Sequence, residues 1–233
     1  MSYSDKDFTE GKLYKIVYYL YCLTLTSFYF IVANLILIVV VLFVSLAITK
    51  ALLTMPTAIL LIACASLSFG PAWVALLFVM KQVIAGEFVS ITRAYMTGYR
   101  QHFRQSVIVN GLLNVLFLLT AVNYTIVIQI DSLSFLALPF LIVAALLGCL
   151  ALYIFPLIIY HPTKLINLIK ISFYFAVKKM SKTLVMLSML VISYLLVRLF
   201  PGLFLLLVPG INGWLVMVSC RSLFEHINKH ALA

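Results

Sequence analysis

Acidic side chains are almost missing from this chain: of 233 residues only Asp5, Asp7, Glu10, Glu87, Asp131 and Glu225 carry a carboxylate. All six lie outside the long apolar runs, so no carboxylate pair stands at membrane depth to relay protons or coordinate a cation, and a proton-coupled pump is disfavoured. Charge of either sign is scarce, at 9% of residues, where a soluble domain carries about 25%. That shortage excludes a soluble fold, a disordered chain and an aqueous cleft lined by ionisable groups. Four cysteines, Cys22, Cys64, Cys149 and Cys220, lie far apart with no Cys-x-x-Cys pair, which excludes a disulfide framework and leaves them as small apolar residues. A Gly-rich nucleotide loop, a His-Glu-x-x-His helix and a Gly-x-Ser-x-Gly elbow are absent, so neither catalysis nor a cofactor is expected. His226 and His230 are one helical turn apart, and His161 precedes Pro162. A solvated tail pair and a headgroup or capping contact are the plainer readings than a metal site.

What the chain has instead is hydrophobicity: 65% of residues are apolar and the mean hydropathy is +1.20. The expected fold is all-α, a polytopic transmembrane bundle of about six spans forming one domain over residues 1–233. Between Lys15 and Lys50 run 34 uncharged residues, about 51 Å as helix against a hydrocarbon core of ~30 Å. Tyr14, Tyr18, Tyr19 and Tyr21 suit the interfacial belt, which places a first span at Phe28 to Ile48. Residues Ala51 to Met80 form a second, broken by the helix-disrupting pair Gly70-Pro71. Gln105 to Ile130 and Ser132 to Thr163 are the third and fourth. Thr183 to Leu199 and Leu203 to Ser219 make a closing hairpin turning at Pro201-Gly202.

Fourteen of the sixteen basic residues fall on one side of this arrangement, and only Lys50 and Arg198 on the other. The positive-inside rule then puts the tails 1–15 and 220–233 and the segments 81–104 and 164–182 in the cytoplasm of a bacterial plasma-membrane protein. The net charge of +10 is accounted for by cations flanking spans, so nucleic acid is not an expected partner.

Both cytoplasmic segments read as interfacial amphipathic helices facing anionic lipid headgroups. From Phe88 to Arg104, the apolar stripe is Phe88, Ile91, Tyr95, Tyr99 and Phe103, with Arg93, Arg100 and Arg104 nearly opposite. In the second, Leu165, Ile169, Phe173, Ala176 and Met180 make the stripe and Phe175 falls off it. A proline-containing exit precedes each, and Pro209, Gly210, Trp214 and Arg221 form a weak third echo of Gly70-Pro71, Trp73 and Lys81. Within the spans, Asn34, Asn110, Asn114 and Asn212 are the polar residues of note. Interhelical hydrogen bonding is the plain reading of the four, and a solute path the sharper one.

The stretch from Gly70-Pro71-Ala72-Trp73-Val74-Ala75-Leu76 through Lys81 and Gly86-Glu87 to Tyr99-Arg100-Gln101-His102-Phe103-Arg104-Gln105-Ser106 resembles the YesL-like family of small bacterial membrane proteins. So does Tyr153-Ile154-Phe155-Pro156-Leu157 followed by a lysine-containing helix. The resemblance implies an accessory or regulatory, non-catalytic membrane subunit in oligosaccharide uptake, beside the membrane subunits of an ABC importer in a Gram-positive bacterium. An autonomous small-solute transporter or channel, with its path among the asparagines, is the alternative expectation, and a membrane enzyme ranks third.

Overall fold

The computed structural model describes residues 12–50, 52–87, 90–130, 135–160, 164–199 and 201–231, and side chains throughout these except 12–13, 55–56, 201–205 and 222–231. The described residues form an all-α bundle. In chain order the helices are α1 (Lys12–Ala33), α2 (Leu35–Thr49), α3 (Met55–Ala65), a 3-10 turn (Ser66–Ser68), α4 (Phe69–Ile84), α5 (Ile91–Gln129), α6 (Ala137–Tyr160), α7 (Leu165–Lys178), α8 (Met180–Leu199) and α9 (Pro201–Ala231). Among the described residues five stretches are long and apolar enough to cross a membrane: Tyr14–Ala33, Thr57–Ile84, Ile91–Gln129, Ala137–Tyr160 and Met180–Leu199. Leu35–Thr49 and Leu206–Arg221 are apolar but shorter.

The uncharged run after Lys15 is one rod with a break, because Asn34 competes with its own backbone. Its Nδ2 donates to the Phe30 carbonyl at 2.9 Å, the acceptor that its N–H also uses, and φ −102°, ψ 14° leaves the helical region there. The span expected at Phe28 to Ile48 is therefore divided at Asn34. The second rod, α3 to α4, tightens at Ser66–Ser68, one turn before Gly70-Pro71. Pro71 supplies no N–H to the Leu67 carbonyl four residues back, and its ring crowds that carbonyl, so the strain is taken up in the turn upstream. Ser66 and Ser68 hydroxyls donate to the Ala63 and Ala65 carbonyls at 2.8 and 3.1 Å, which suits the tighter winding. α2 and α3, linked through Lys50 to Thr54, pack on each other as a hairpin beyond the two breaks.

α4 is the centre of the molecule. It is apolar all round up to Lys81 and Gln82 near its end, ten of its sixteen residues are buried, and it packs against α1, α5, α6 and α9. Its closest partner is α5, and each helix contributes a glycine to the approach. A Cβ at Gly70 would meet Asn110 Cβ at 2.6 Å, and one at Gly98 would meet Phe78 Cβ at 2.8 Å. α9 crosses α1 in the same way at Gly210, where a Cβ would lie 2.5 Å from the Leu23 carbonyl oxygen.

α5 runs unbroken for 39 residues, about 58 Å, so the segment expected as a separate interfacial helix before Gln105 is the first part of the same rod. Arg93, Arg100 and Arg104 all lie in that first part, and the remainder to Gln129 is uncharged. The C-terminal segment expected as a tail likewise continues α9 to Ala231.

Candidate functional site

The two helix breaks meet, and the meeting point gathers three of the four asparagines that the sequence marks. Asn110 and Asn114 lie one turn apart on α5 and both reach the 3-10 turn. Asn110 Nδ2 donates to the Ser66 carbonyl at 2.7 Å, and Asn114 Nδ2 donates to Ser66 Oγ at 2.8 Å. The Ser66 carbonyl also accepts the Phe69 N–H, so the tight turn and the Asn110 amide together use both of its lone pairs. Ser68 Oγ lies 3.3 Å from Asn34 Oδ1 and shares its one proton between that amide oxygen and the Ala65 carbonyl, which brings the break in the first rod against the break in the second. Asn34 and Asn110 are buried, and Gly70 lets the Asn110 backbone come near enough for its amide to reach Ser66.

Asn212 lies apart from this group. It accepts a hydrogen bond from Ser193 Oγ at 2.9 Å across the α8–α9 hairpin. Next to it on α9, the Gly210 N–H donates to Ser27 Oγ on α1 at 2.7 Å, and Ser27 passes its own proton to the Leu23 carbonyl at 2.8 Å. A third polar pair, Tyr153 with Thr183 at 2.9 Å, joins α6 to α8. Each of these interactions involves Ser27, Ser66, Ser68, Thr183 or Ser193, none of which was singled out from the sequence as a site residue. The signal available was small: serine in an apolar helix is common, and only its asparagine partner marks it.

Pro71→Ala is expected to leave membrane insertion unchanged, since hydropathy barely alters. By returning an N–H to the Leu67 carbonyl it relaxes the turn that presents Ser66 to Asn110. Thermal unfolding in detergent should show a loss of about 1 kcal/mol, the scale of one hydrogen bond, with an unchanged carbonate-resistant membrane fraction.

The aromatic stripe of α5 is divided between two uses. Tyr95 is 2% exposed, stacks on Tyr29 with ring centroids 5.5 Å apart, and donates its hydroxyl to the Ala72 carbonyl at 3.3 Å. Tyr29 also bonds Thr92 at 2.8 Å. Tyr99 is half-buried against Tyr95, and Phe103, 42% exposed, continues the series outward. Ile91, Ala94, Tyr95 and Gly98 thus face the protein core and not a lipid surface, while Arg93, Arg100 and Arg104 remain exposed. Phe88 lies outside the described residues. Nearby, Lys81 Nζ sits 4.3 Å from the centre of the Tyr160 ring, and Arg221 Nη1 donates to the Ile84 carbonyl at the end of α4 at 3.3 Å. Lys182 Nζ donates to the Ser219 carbonyl at 3.2 Å. Cations therefore fasten the ends of α4, α6 and α8 where the basic residues gather.

Among the described residues no three of His, Cys, Asp and Glu come together as metal ligands. His161 and the side chains of His226 and His230 lie outside them. Cys22 and Cys220 are buried and Cys64 is exposed, each as a free thiol. Of the cavities, one of about 290 Å³ lies between α5 and α6, lined by Phe117, Thr120, Ala121, Tyr124, Phe140 and Leu141, and is almost wholly apolar. Another of about 200 Å³ opens beside Asn34, among Phe30, Leu37, Ile38, Phe69 and Pro209. Neither is lined by charge. No family model matches the chain, and no curated protein or solved structure matches it either.

Proposed function

We propose that this chain is a non-catalytic accessory or regulatory protein of a bacterial plasma membrane, a YesL-like protein acting beside the membrane subunits of an ABC-type oligosaccharide importer. The observation that carries the reading is the use of the intramembrane amides. Asn110, Asn114 and Asn212 each bond another element of the bundle, as helix-joining residues do, and Asn34, which borders the cavity of about 200 Å³, spends its amide N–H on its own backbone; a solute path needs such groups free to face an opening. In this reading the chain crosses six times, through α1–α2, α3–α4, α5, α6, α8 and α9, with both termini and the basic segments cytoplasmic.

The exposed Arg93, Arg100 and Arg104 then form a cationic edge on the cytoplasmic side, open to a partner subunit or to anionic headgroups. Their aromatic neighbours hold α5 in place beneath them. Replacing all three by glutamine leaves eleven basic residues inside against two outside, so orientation is expected to persist. The tagged wild-type protein is expected to retain importer subunits on purification and the triple variant to lose them. Retention of partners and of sugar uptake by the triple variant would make the arginines topological only. Solute flux through liposomes holding this protein alone would favour the transporter reading instead.

A further inference from the structure

α7 carries two separate apolar faces, and the bundle covers one of them. Leu168, Ser172, Phe175 and Ala176 are buried where α7 meets α6 and α8. Phe175, expected off the stripe, is 9% exposed, whereas Phe173, expected on it, is 53% exposed. The reason is helical pitch: residues four apart drift by about 40° per step, so a run of fours leaves the face that threes and fours together maintain. At 100° per residue, Ile166, Phe173 and Val177 fall within roughly 40° of one another. Their exposures are 65%, 53% and 54%. Lys170, Tyr174 and Lys178 follow on the next flank, all exposed. The helix thus has three flanks: one toward the protein, one apolar and uncovered, one cationic.

Charge complementarity names the occupant of the uncovered flank. Lys164, Lys170, Lys178 and Lys179 are exposed, and the chain has no acidic residue between Asp131 and Glu225. The Lys178 ammonium donates to the Tyr174 hydroxyl one turn away, a tyrosine–lysine pair of the kind that sits at headgroup level. In the other basic segment, Ile91 to Arg104, most of the apolar face is used by α4 and α1, leaving Met96 and Phe103 exposed. We propose that α7 is the lipid-recognising helix of this protein: Ile166, Phe173 and Val177 insert among acyl chains, and the four lysines select anionic phospholipid headgroups around them. The proposal rests on the membrane reading above but not on the importer partnership.

The test is fluorescence quenching in nanodiscs containing the full chain with Phe173→Trp. Brominated phosphatidylglycerol and brominated phosphatidylcholine are compared at equal mole fraction, and the unsubstituted protein, with Trp73 and Trp214, supplies the background. The introduced indole is expected to be quenched at least about twofold more by the anionic lipid, a preference that local cationic attraction generates. Lys170→Gln, Lys178→Gln and Lys179→Gln together should equalise the two lipids while quenching persists. Equal quenching without those changes, or none, would overturn the proposal. Leu141→Trp, on the exposed side of α6, separates the two failures. If it is quenched and Phe173→Trp is not, the lipid-recognising helix is wrong and the membrane reading stands; if neither is quenched, the membrane reading fails. Val177→Trp repeats the measurement should Phe173→Trp misfold.

Discussion

Gly70→Ala is expected to destabilise the assembled protein by about 1–3 kcal/mol, the range for forcing an extra carbon into a packed interface. The new Cβ would stand 2.6 Å from Asn110 Cβ, 2.8 Å from the Ser106 carbonyl oxygen and 3.0 Å from Asn110 Cγ. Two of these neighbours are the fixed base of a side chain and a backbone atom, so relief requires α4 and α5 to move apart. Separation would lengthen the Asn110–Ser66 hydrogen bond as well, and the two losses would reinforce each other. Gly70→Leu should prevent assembly altogether while still inserting, since leucine raises hydropathy. Gly148→Ala is the matching control: nothing lies within 4 Å of a Cβ there, and alanine is the better helix former by roughly 0.5–1 kcal/mol. Thermal unfolding of the purified variants in one detergent checks all three, with a Gly70→Ala midpoint at or above wild type as the result that would refute the close approach.

Asn110 and Asn114 are expected to behave differently toward Ser66 although they lie one turn apart on the same face. Asn114 binds the Ser66 hydroxyl, so Asn114→Ala and Ser66→Ala should be strongly non-additive, with a coupling of about 0.5–1.5 kcal/mol, typical of a hydrogen bond between membrane helices. Asn110 binds the Ser66 carbonyl, which Ser66→Ala leaves in place, so Asn110→Ala and Ser66→Ala should add. The single change Asn110→Leu should be the most damaging of the set. It takes one of two donors from the part-buried Ser66 carbonyl, which keeps the Phe69 N–H, and puts a branched side chain against Gly70, where overpacking costs about 1–3 kcal/mol. Double-mutant cycles on detergent stability separate the two patterns. Additivity for Asn114 with Ser66 would mean that the hydroxyl contact contributes nothing to assembly.

The pairing of asparagine with serine was only partly legible in the chain. Asn110 and Asn114 stand out because an amide in an apolar helix needs a partner, and their spacing puts them on one face. The position of the partner was not readable, because Ser66 lies 44 residues away from Asn110 and reaches it only through the tightened turn. Gly70-Pro71 marked a break in advance, yet the break falls at Ser66–Ser68, since proline disturbs the carbonyl four residues behind it and not its own position. Asn34 gave no local warning that it interrupts a helix, and its effect comes from a side-chain bond to Phe30 that its sequence neighbours do not dictate. Conversely, a chain reversal near Pro201-Gly202 was legible in advance, since α8 ends at Leu199, α9 starts at Pro201 and the two pack on each other, although Pro201 and Gly202 open α9 instead of forming the turn.

By itself the sequence determined the class and the coarse layout: an all-helical chain, cations gathered at the ends of apolar stretches, and amides as the rare polar groups within them. Those follow from local chemistry, because a chain this apolar must satisfy its backbone hydrogen bonds internally and helices do so within each segment. Tertiary structure decided which apolar face turns inward. Tyr95 is buried and Phe103 exposed on one stripe of α5, while Phe175 and not Phe173 packs inward from α7. Periodicity alone assigns such residues to the apolar side and goes no further. A core contact and an acyl chain are equally apolar surroundings, so hydrophobicity does not tell them apart; the choice falls to close packing, through Gly70 and Gly98, and to hydrogen bonds between distant helices.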